Sequence, residues 1–572
     1  MATRTTHIAW AACFVAAGLV RAQVVSGPLV TSDGWPRSTN LAAWTRDVMR
    51  IEGLEKAPET AQGKAFFEWL RLFNRMAVGG MIQAYEGDYD KERYVTDANK
   101  NMFVYGWGYC DTSSRIAEAA WKEFKQDAGA AERVCVQHDD GGYHTMFRLR
   151  LDGHYGAFDP RYGYYLVERD APDARILDWA EVGDDENIRR NKTFRYRSRP
   201  FFEIFGLEWE RAFLLKPAYF ESENLWHKAG APKETVFGNS QYRIGTRLHD
   251  MDFRLPKGTA IERFWDNSER KFYVPAGRQT QRELPFRAAG RFYRVNETSL
   301  EGNWPKYDPN YKKAQPYLAA IPVGEGYPKD LEGGRTIGQA WGRLRYEPDL
   351  KDPQLLDAVA AGATLVHAAS APYLRPAQPA GGGAATLDFY SPYVLVDGTL
   401  EAGLAGAGDD VKLEIRTQKP KNASEAEPEA WSAWQTLAAG PGAVTTELGR
   451  PRFNGKDVSI HGVYRFQLRL TVNPSAGRPA PAGLSALRLA LSFENGIMSI
   501  PRIFAGSNTV RFAVRDAKLL RGPVRVTYRY RTAAGEQTHT KVLEPADFRG
   551  NEASYKLDAP GLTRCNSIAI SY

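Results

Sequence analysis

The sequence predicts an α+β domain at the N-terminus followed by mainly-β domains of the β-sandwich kind. Three observations carry that expectation. Apolar residues recur at helical spacing between residues 40 and 125. The period then switches to two between residues 133 and 165. Beyond residue 386 the chain is a succession of short alternating runs bounded by turn residues. At 572 residues the chain is long enough for several domains, given roughly 100–200 residues for each.

Residues 1–22 come first. Arg4 precedes the apolar run IAWAACFVAAGLV, and the small residue Ala22 stands before Gln23. That order of basic, apolar and small residues reads as a secretory signal peptide. The run is shorter than the ~20 residues a span needs, and no later segment is long and apolar enough to cross a membrane. An exported protein is expected, whether periplasmic, at the cell surface or secreted, with no transmembrane span in the mature chain.

Loss of that segment takes Arg4 and Arg21 and no acid, lowering the formal net charge from +7 to +5. Lys and Arg are interleaved with Asp and Glu rather than blocked, which reads as a solvated mixed-charge surface and excludes nucleic acid as an expected partner. Cys13 leaves with the signal, so Cys110, Cys135 and Cys565 remain. An odd count in an exported chain leaves at least one free thiol. Cys110 fits that role, and a Cys135–Cys565 bridge would require two distant regions to meet.

The first domain is expected over residues 23–215. Trp44, Val48 and Ile51 share one helical face, as do Phe66, Trp69, Leu70 and Phe73. A further helix over 111–124 carries Ile116, Ala120 and Phe124 at i, i+4 spacing, with Asp111, Thr112 and Ser113 suited to its first turn. Val134 and Val136 then alternate, as do Thr145, Phe147, Leu149 and Leu151, and Asp152-Gly153 is a strong hairpin turn.

Cys110 stands at the mouth of the third helix, where unpaired backbone N–H groups and the helix dipole favour a thiolate. A buried structural thiol is the bland alternative. A two-residue turn at Asp152-Gly153 pairs Leu151 with His154. Counting back, Met146 faces Asp159 and His144 faces Arg161. His144 and Asp159 then share a sheet face as diagonal neighbours, roughly 7–8 Å apart at Cα. A thiol, an imidazole and a carboxylate are the parts of an activated sulfur nucleophile. The alternatives are an ordinary sheet histidine and an Asp-Pro turn residue.

Gly108-Tyr109-Cys110 before a helix, the strand HTMFRLRLDG and the sequence FDP ending at Pro160 together resemble the transglutaminase-like superfamily. That group of cysteine acyl-transfer enzymes is papain-like in fold. The resemblance covers roughly residues 40–180 and implies catalytic roles for Cys110, His144 and Asp159. It also implies acyl transfer on an amide, hydrolysis of peptide or isopeptide bonds more than cross-linking, and no metal or organic cofactor. Met146 and Phe147 depart from the Trp or Val common after the family's histidine, and His154 occupies a turn position where a small residue is usual. Trp107 and Tyr105 are candidates for an auxiliary oxyanion role beside the Cys110 backbone N–H, with hydrophobic packing as the alternative. RLPKGTAIERFW and WGRLRYEPDL resemble, less specifically, large exported bacterial proteins that carry such a domain ahead of β-rich modules.

Residues 216–375 read as a mixed, mainly β region, and the Pro- and Gly-rich 376–386 as a linker. A β-sandwich is expected over 387–500, and a small β domain over 501–572. Cys135, His138, Asp139, Asp140 and His144 match no zinc spacing, and no HExxH, GxSxG or phosphate loop is present. Asn191, Asn296 and Asn422 open sequons that predict little. Trp431 and Trp434 could stack on sugars, but three apart on an expected strand they would point to opposite faces and make no single platform, so core packing is the default expectation.

The leading expectation is an exported thiol-dependent acyl-transfer enzyme acting on a protein or peptide substrate, its β domains holding it at a cell-envelope polymer. The alternative is a noncatalytic scaffold whose sandwich modules bind carbohydrate or protein at the cell surface.

Overall fold

In a computed structural model, the described residues are 25–76, 95–108, 110–137, 143–160, 164–168, 173–178, 181, 194–195, 234–236, 242–265, 339–358, 363–378, 381–408, 410–418, 430–449, 459–474 and 481–572. The expected signal segment, His138–Asp140 and the three sequons lie outside them.

In chain order the N-terminal elements are β1 (Val25–Ser26), β2 (Leu29–Ser32), α1 (Leu41–Ile51), α2 (Glu59–Phe73), β3 (Arg75–Met76), a π-helix (Lys100–Tyr105), β4 (Trp107–Gly108) and α3 (Cys110–Lys125). Strands β5 (Ala131–Gln137), β6 (Tyr143–Leu151), β7 (His154–Asp159), β8 (Tyr164–Leu166), β9 (Phe194–Arg195) and β10 (Glu234–Val236) follow. They form one antiparallel sheet in the order β10-β5-β6-β7-β8-β9. The expected sequence of helices and then an antiparallel sheet is therefore present.

The helices form where the pattern puts them. The Asn40 side chain caps α1 by accepting from the Ala43 N–H (2.8 Å). Trp44, Phe66, Phe73 and Trp121 interlock as a buried aromatic layer. On the sheet side, Phe67 of α2 meets Phe147 and Phe158, whose rings stack at 5.3 Å.

The remaining strands are β11 (Arg254–Leu255), β12 (Thr259–Phe264), β13 (Gln339–Tyr346), β14 (Leu365–His367), β15 (Leu374–Pro376), β16 (Gly383–Tyr390), β17 (Val394–Ala405), β18 (Val411–Thr417) and β19 (Gln435–Ala439). They continue as β20 (Gly442–Glu447), β21 (Arg465–Val472), β22 (Gly483–Gly496), β23 (Gly506–Ala513), β24 (Val524–Thr532), β25 (Gly535–Leu543), β26 (Glu552–Ala559) and β27 (Leu562–Ser571). A ten-stranded sheet runs β14-β15-β22-β13-β12-β27-β24-β25, with β17 on β22 and β20 on β17. A four-stranded sheet, β16-β21-β18-β19, covers it. Tyr346 and Phe389 make ring contact between the two layers, as a sandwich requires. The molecule is mostly β, with three α-helices among the described residues.

Pairing cuts across the boundaries expected from composition. β10 lies beyond residue 215 yet pairs with β5. β12 joins β13 of the mixed region to β27 of the C-terminal region, and β2 pairs with β23. The expected linker is corrected: Pro376 ends β15, and Gly383–Thr386 begin β16. Glycine serves packing there, because a Cβ on Gly383 would sit 2.7 Å from Leu365 Cδ2. Among the described residues no helix is long and apolar enough to cross a membrane.

Candidate functional site

The hairpin that carries two of the three expected residues is fixed by its turn. Asp152 and Gly153 both have positive φ, 51° and 89°, as a tight two-residue hairpin turn demands. Leu151 pairs with His154, and the ladder runs through Phe147 and Phe158. Extending it one step sets Met146 opposite Asp159, so His144 and Asp159 occupy the same face by alternation. The observed pairs, Leu151–His154 through Phe147–Phe158, are those expected from the sequence; Arg161, the expected partner of His144, lies outside the described residues.

The turn is also clamped. The Asp152 carboxylate accepts from the backbone N–H groups of Glu59 (3.0 Å) and Thr60 (2.9 Å) and from the Thr60 hydroxyl (2.8 Å). The Asp152 N–H in turn donates to Glu59 Oε2 (2.8 Å). A residue more than ninety positions away thus caps α2, which has no side-chain cap of its own at Pro58. Burial would raise the Asp152 carboxyl, but the donors from Thr60 and Glu59 outweigh it and hold it below its ordinary value.

Cys110 is the first residue of α3, and β4 just before it pairs in parallel with β3. Asn74, at the end of α2, ties this entry down. Its amide donates to the Asn101 carbonyl (3.0 Å), and its Oδ1 accepts from the Ser113 hydroxyl (2.6 Å). One turn into the helix, Ser114 Oγ donates to the Thr145 carbonyl (3.4 Å). Cys110 lies on the same helical stripe as Ser114, one ~5.4 Å turn nearer the tip. The Ser114 bond brings the first turns of α3 to the beginning of β6. His144 lies opposite Val136 of β5. Asp159 closes β7 opposite Tyr164 and is fully buried.

The body of α3 packs on the other face of the sheet. Glu118 takes Arg133 Nε (2.8 Å) and Lys122 Nζ (2.8 Å), and Asp111 takes Arg133 Nη1 (2.9 Å). Arg133 pairs with Phe147, whose parity is opposite to that of His144. By alternation His144 and Asp159 have the parity of the face away from the body of α3. The side chains of Cys110, Cys135, His144 and Trp107 lie outside what the structure describes.

Tyr105 is buried, and its hydroxyl lies 3.0 Å from that of Tyr464 in the sandwich. Lys100 Nζ sits 4.5 Å over the Tyr464 ring. Both contacts belong to the seam between the helices and the sandwich, where Tyr105 is packed. Cys565 is a free, buried thiol near the Ile503 carbonyl (3.5 Å). Burial raises its pKa. The Cys135–Cys565 bridge is thus ruled out: Cys565 is sealed under its own sheet, whereas Cys135 pairs with Thr145 in the other. Among the described residues no group of three or more His, Cys, Asp or Glu is placed to hold a metal ion.

A second cluster lies on the outer face of the four-stranded sheet. Trp431 and Trp434 do not face opposite ways into the core. Trp431 makes an isolated bridge with Gln418, and residues 432–434 follow no regular strand, so alternation does not apply. Both rings are half-buried and flank one guanidinium, Arg416 Cζ lying 4.7 Å from Trp431 and 4.5 Å from Trp434. Arg469 stands 4.2 Å from Trp434, and Arg465 5.4 Å from Trp431. The sequence signal that could have found this is the alternation of Arg465, Gln467 and Arg469 beside Lys412, Glu414 and Arg416, the polar faces of two paired strands. The buried Glu118 cluster also had a signal, the i, i+4 spacing of Asp111–Arg115 and Glu118–Lys122.

No family model matches the sequence, and no curated protein matches it. Among solved structures, a tandem CBM22 domain of Xyn10C from Paenibacillus barcinonensis is 9% identical at a TM-score of 0.15, covering 37% of this chain and 85% of that one. A Parabacteroides distasonis protein provisionally described as secreted is 12% identical at 0.14, covering 40% and 80%. A Paenibacillus xanthan lyase is 10% identical at 0.12, covering 38% and 24%. Likenesses this slight carry no argument about fold or function.

Proposed function

We propose that the N-terminal part is a transglutaminase-like acyl-transfer unit of an exported protein, acting on peptide or isopeptide amides through Cys110, His144 and Asp159. The observation that supports this most is the hairpin register. It sets His144 and a fully buried Asp159 on one face, at the strand end that the first turns of α3 reach. An imidazole diagonal to that carboxylate is within reach.

In this reading His144 accepts the Cys110 proton, and the thiolate attacks the amide carbon. His144 returns the proton to the nitrogen as the C–N bond breaks, leaving a thioester that water cleaves to acid and free thiol. Asp159 holds the imidazole tautomer. The backbone N–H groups of the first α3 turn face the developing oxyanion. Iodoacetamide labelling against pH tests the reading, with Cys110→Ala as the blank. Cys110 should label well below about pH 8 and lose that reactivity in His144→Ala. Labelling that follows an ordinary thiol titration in both proteins overturns it.

The second reading is a noncatalytic scaffold with a binding sandwich, favoured by the tryptophan–arginine face. Unchanged labelling in His144→Ala together with retained ligand binding would favour it.

A further inference from the structure

The outer face of the β16-β21-β18-β19 sheet combines three features that packing alone does not require. Two half-buried tryptophans grip a guanidinium. That guanidinium, of Arg416, spends Nε and Nη2 on the Gln467 amide oxygen (2.8 and 2.6 Å). Among the described residues it has no carboxylate partner, and its Nη1 donors are unspent. The face is also unbalanced in charge. Among the described residues Lys412, Arg416, Arg465 and Arg469 share it with Asp388 and Glu414, and Arg254 reaches Asp388 from an edge where Asp250 and Asp252 also lie. Asp388 is taken by Arg465 (2.6 Å), and Glu414 by Arg469 (2.7 Å) and Lys412 (2.7 Å). Both acids are thus already neutralised, while Arg416 has neighbouring cations.

We propose that this face binds an anionic polysaccharide, the arginines taking carboxylate or sulfate groups and the tryptophan edges lying against sugar rings. A guanidinium presents a planar fork of donors matched to an oxyanion. Stacking on indole holds that plane without neutralising it. The cluster stands on paired strands, so its spacing is fixed. A stiff polymer whose charges repeat at set intervals on flat apolar rings fits such a surface. A disordered acidic peptide would lose ordering entropy on it.

Affinity electrophoresis of the full chain tests this, with polygalacturonate, heparin, neutral hydroxyethylcellulose or polyglutamate cast in the gel. Retardation is expected with polygalacturonate or heparin, the stronger of the two identifying carboxylate or sulfate as the preferred group. It should fade between about 20 and about 300 mM NaCl as screening sets in. Arg416→Gln should weaken binding about tenfold, Arg416→Lys by an intermediate amount because charge remains without the fork, and Trp434→Ala several-fold. Lys541→Gln, on β25, should change nothing. The proposal is overturned by no retardation in either acidic polymer, by equal retardation in hydroxyethylcellulose or polyglutamate, or by an Arg416→Gln protein that runs like the parent. Circular dichroism of each variant separates lost binding from lost fold. The outcome is independent of Cys110 chemistry.

Discussion

The hairpin of β6 and β7 and the short segment around Trp431 pose the same question, which way a side chain faces, and answer it by different means. In the hairpin, two residues at positive φ leave one way to pair the strands, and parity then assigns every face. Around Trp431 the chain touches its neighbour at a single bridge. Nothing enforces alternation there, and the rings go where Arg416 holds them. Counting by two is valid only along a continuous ladder of pairs.

Changes in the two regions should differ in size. The largest loss is expected away from both regions, at Glu118→Ala, which takes the carboxylate from the buried Lys122 and leaves the buried Arg133 with Asp111 but without Glu118. Chemical denaturation should show a destabilisation of about 3–5 kcal/mol. Asp152→Ala removes the α2 cap and the turn clamp together and should cost about 1–2 kcal/mol. Its effect should depend on pH. The folded carboxyl lies below its unfolded value, so its contribution is present above about pH 4. It fades as pH falls through the lower folded value, and parent and variant should converge in acid. Gly153→Ala forces a Cβ onto a residue at φ 89° and should cost about 1 kcal/mol by the same measurement. Trp434→Ala, on the irregular segment, should cost only about 0.5–1 kcal/mol. A loss there larger than at Asp152 would mean that the tryptophans, rather than the strands, organise the four-stranded sheet.

What the sequence made legible was local. Helical spacing located α1, α2 and α3, and Asp152-Gly153 located the hairpin and its register, because neighbours in sequence decide both. Partners distant in sequence were not legible. Nothing in the residues around Leu29–Ser32 points to β23, toward the other end of the chain, as the mate of that strand. Composition marked 376–386 as a linker although glycine there admits the Leu365 side chain. Tyr105 stands near Cys110 in sequence, but its hydroxyl is directed by Tyr464, far along the chain. Of the candidate site, strand register and helix position were readable from the residues. The face on which α3 would lie was not, because it depends on Arg133 reaching Glu118 and Asp111.

The pairing of Leu29 with Ala513 and Ser32 with Val510 bears on synthesis. The early strand has no partner to join until residues 510–513 have emerged, so it waits as an open edge while everything between is made. Closure at both ends happens together, and a chain cut short before residue 506 would leave that edge bare.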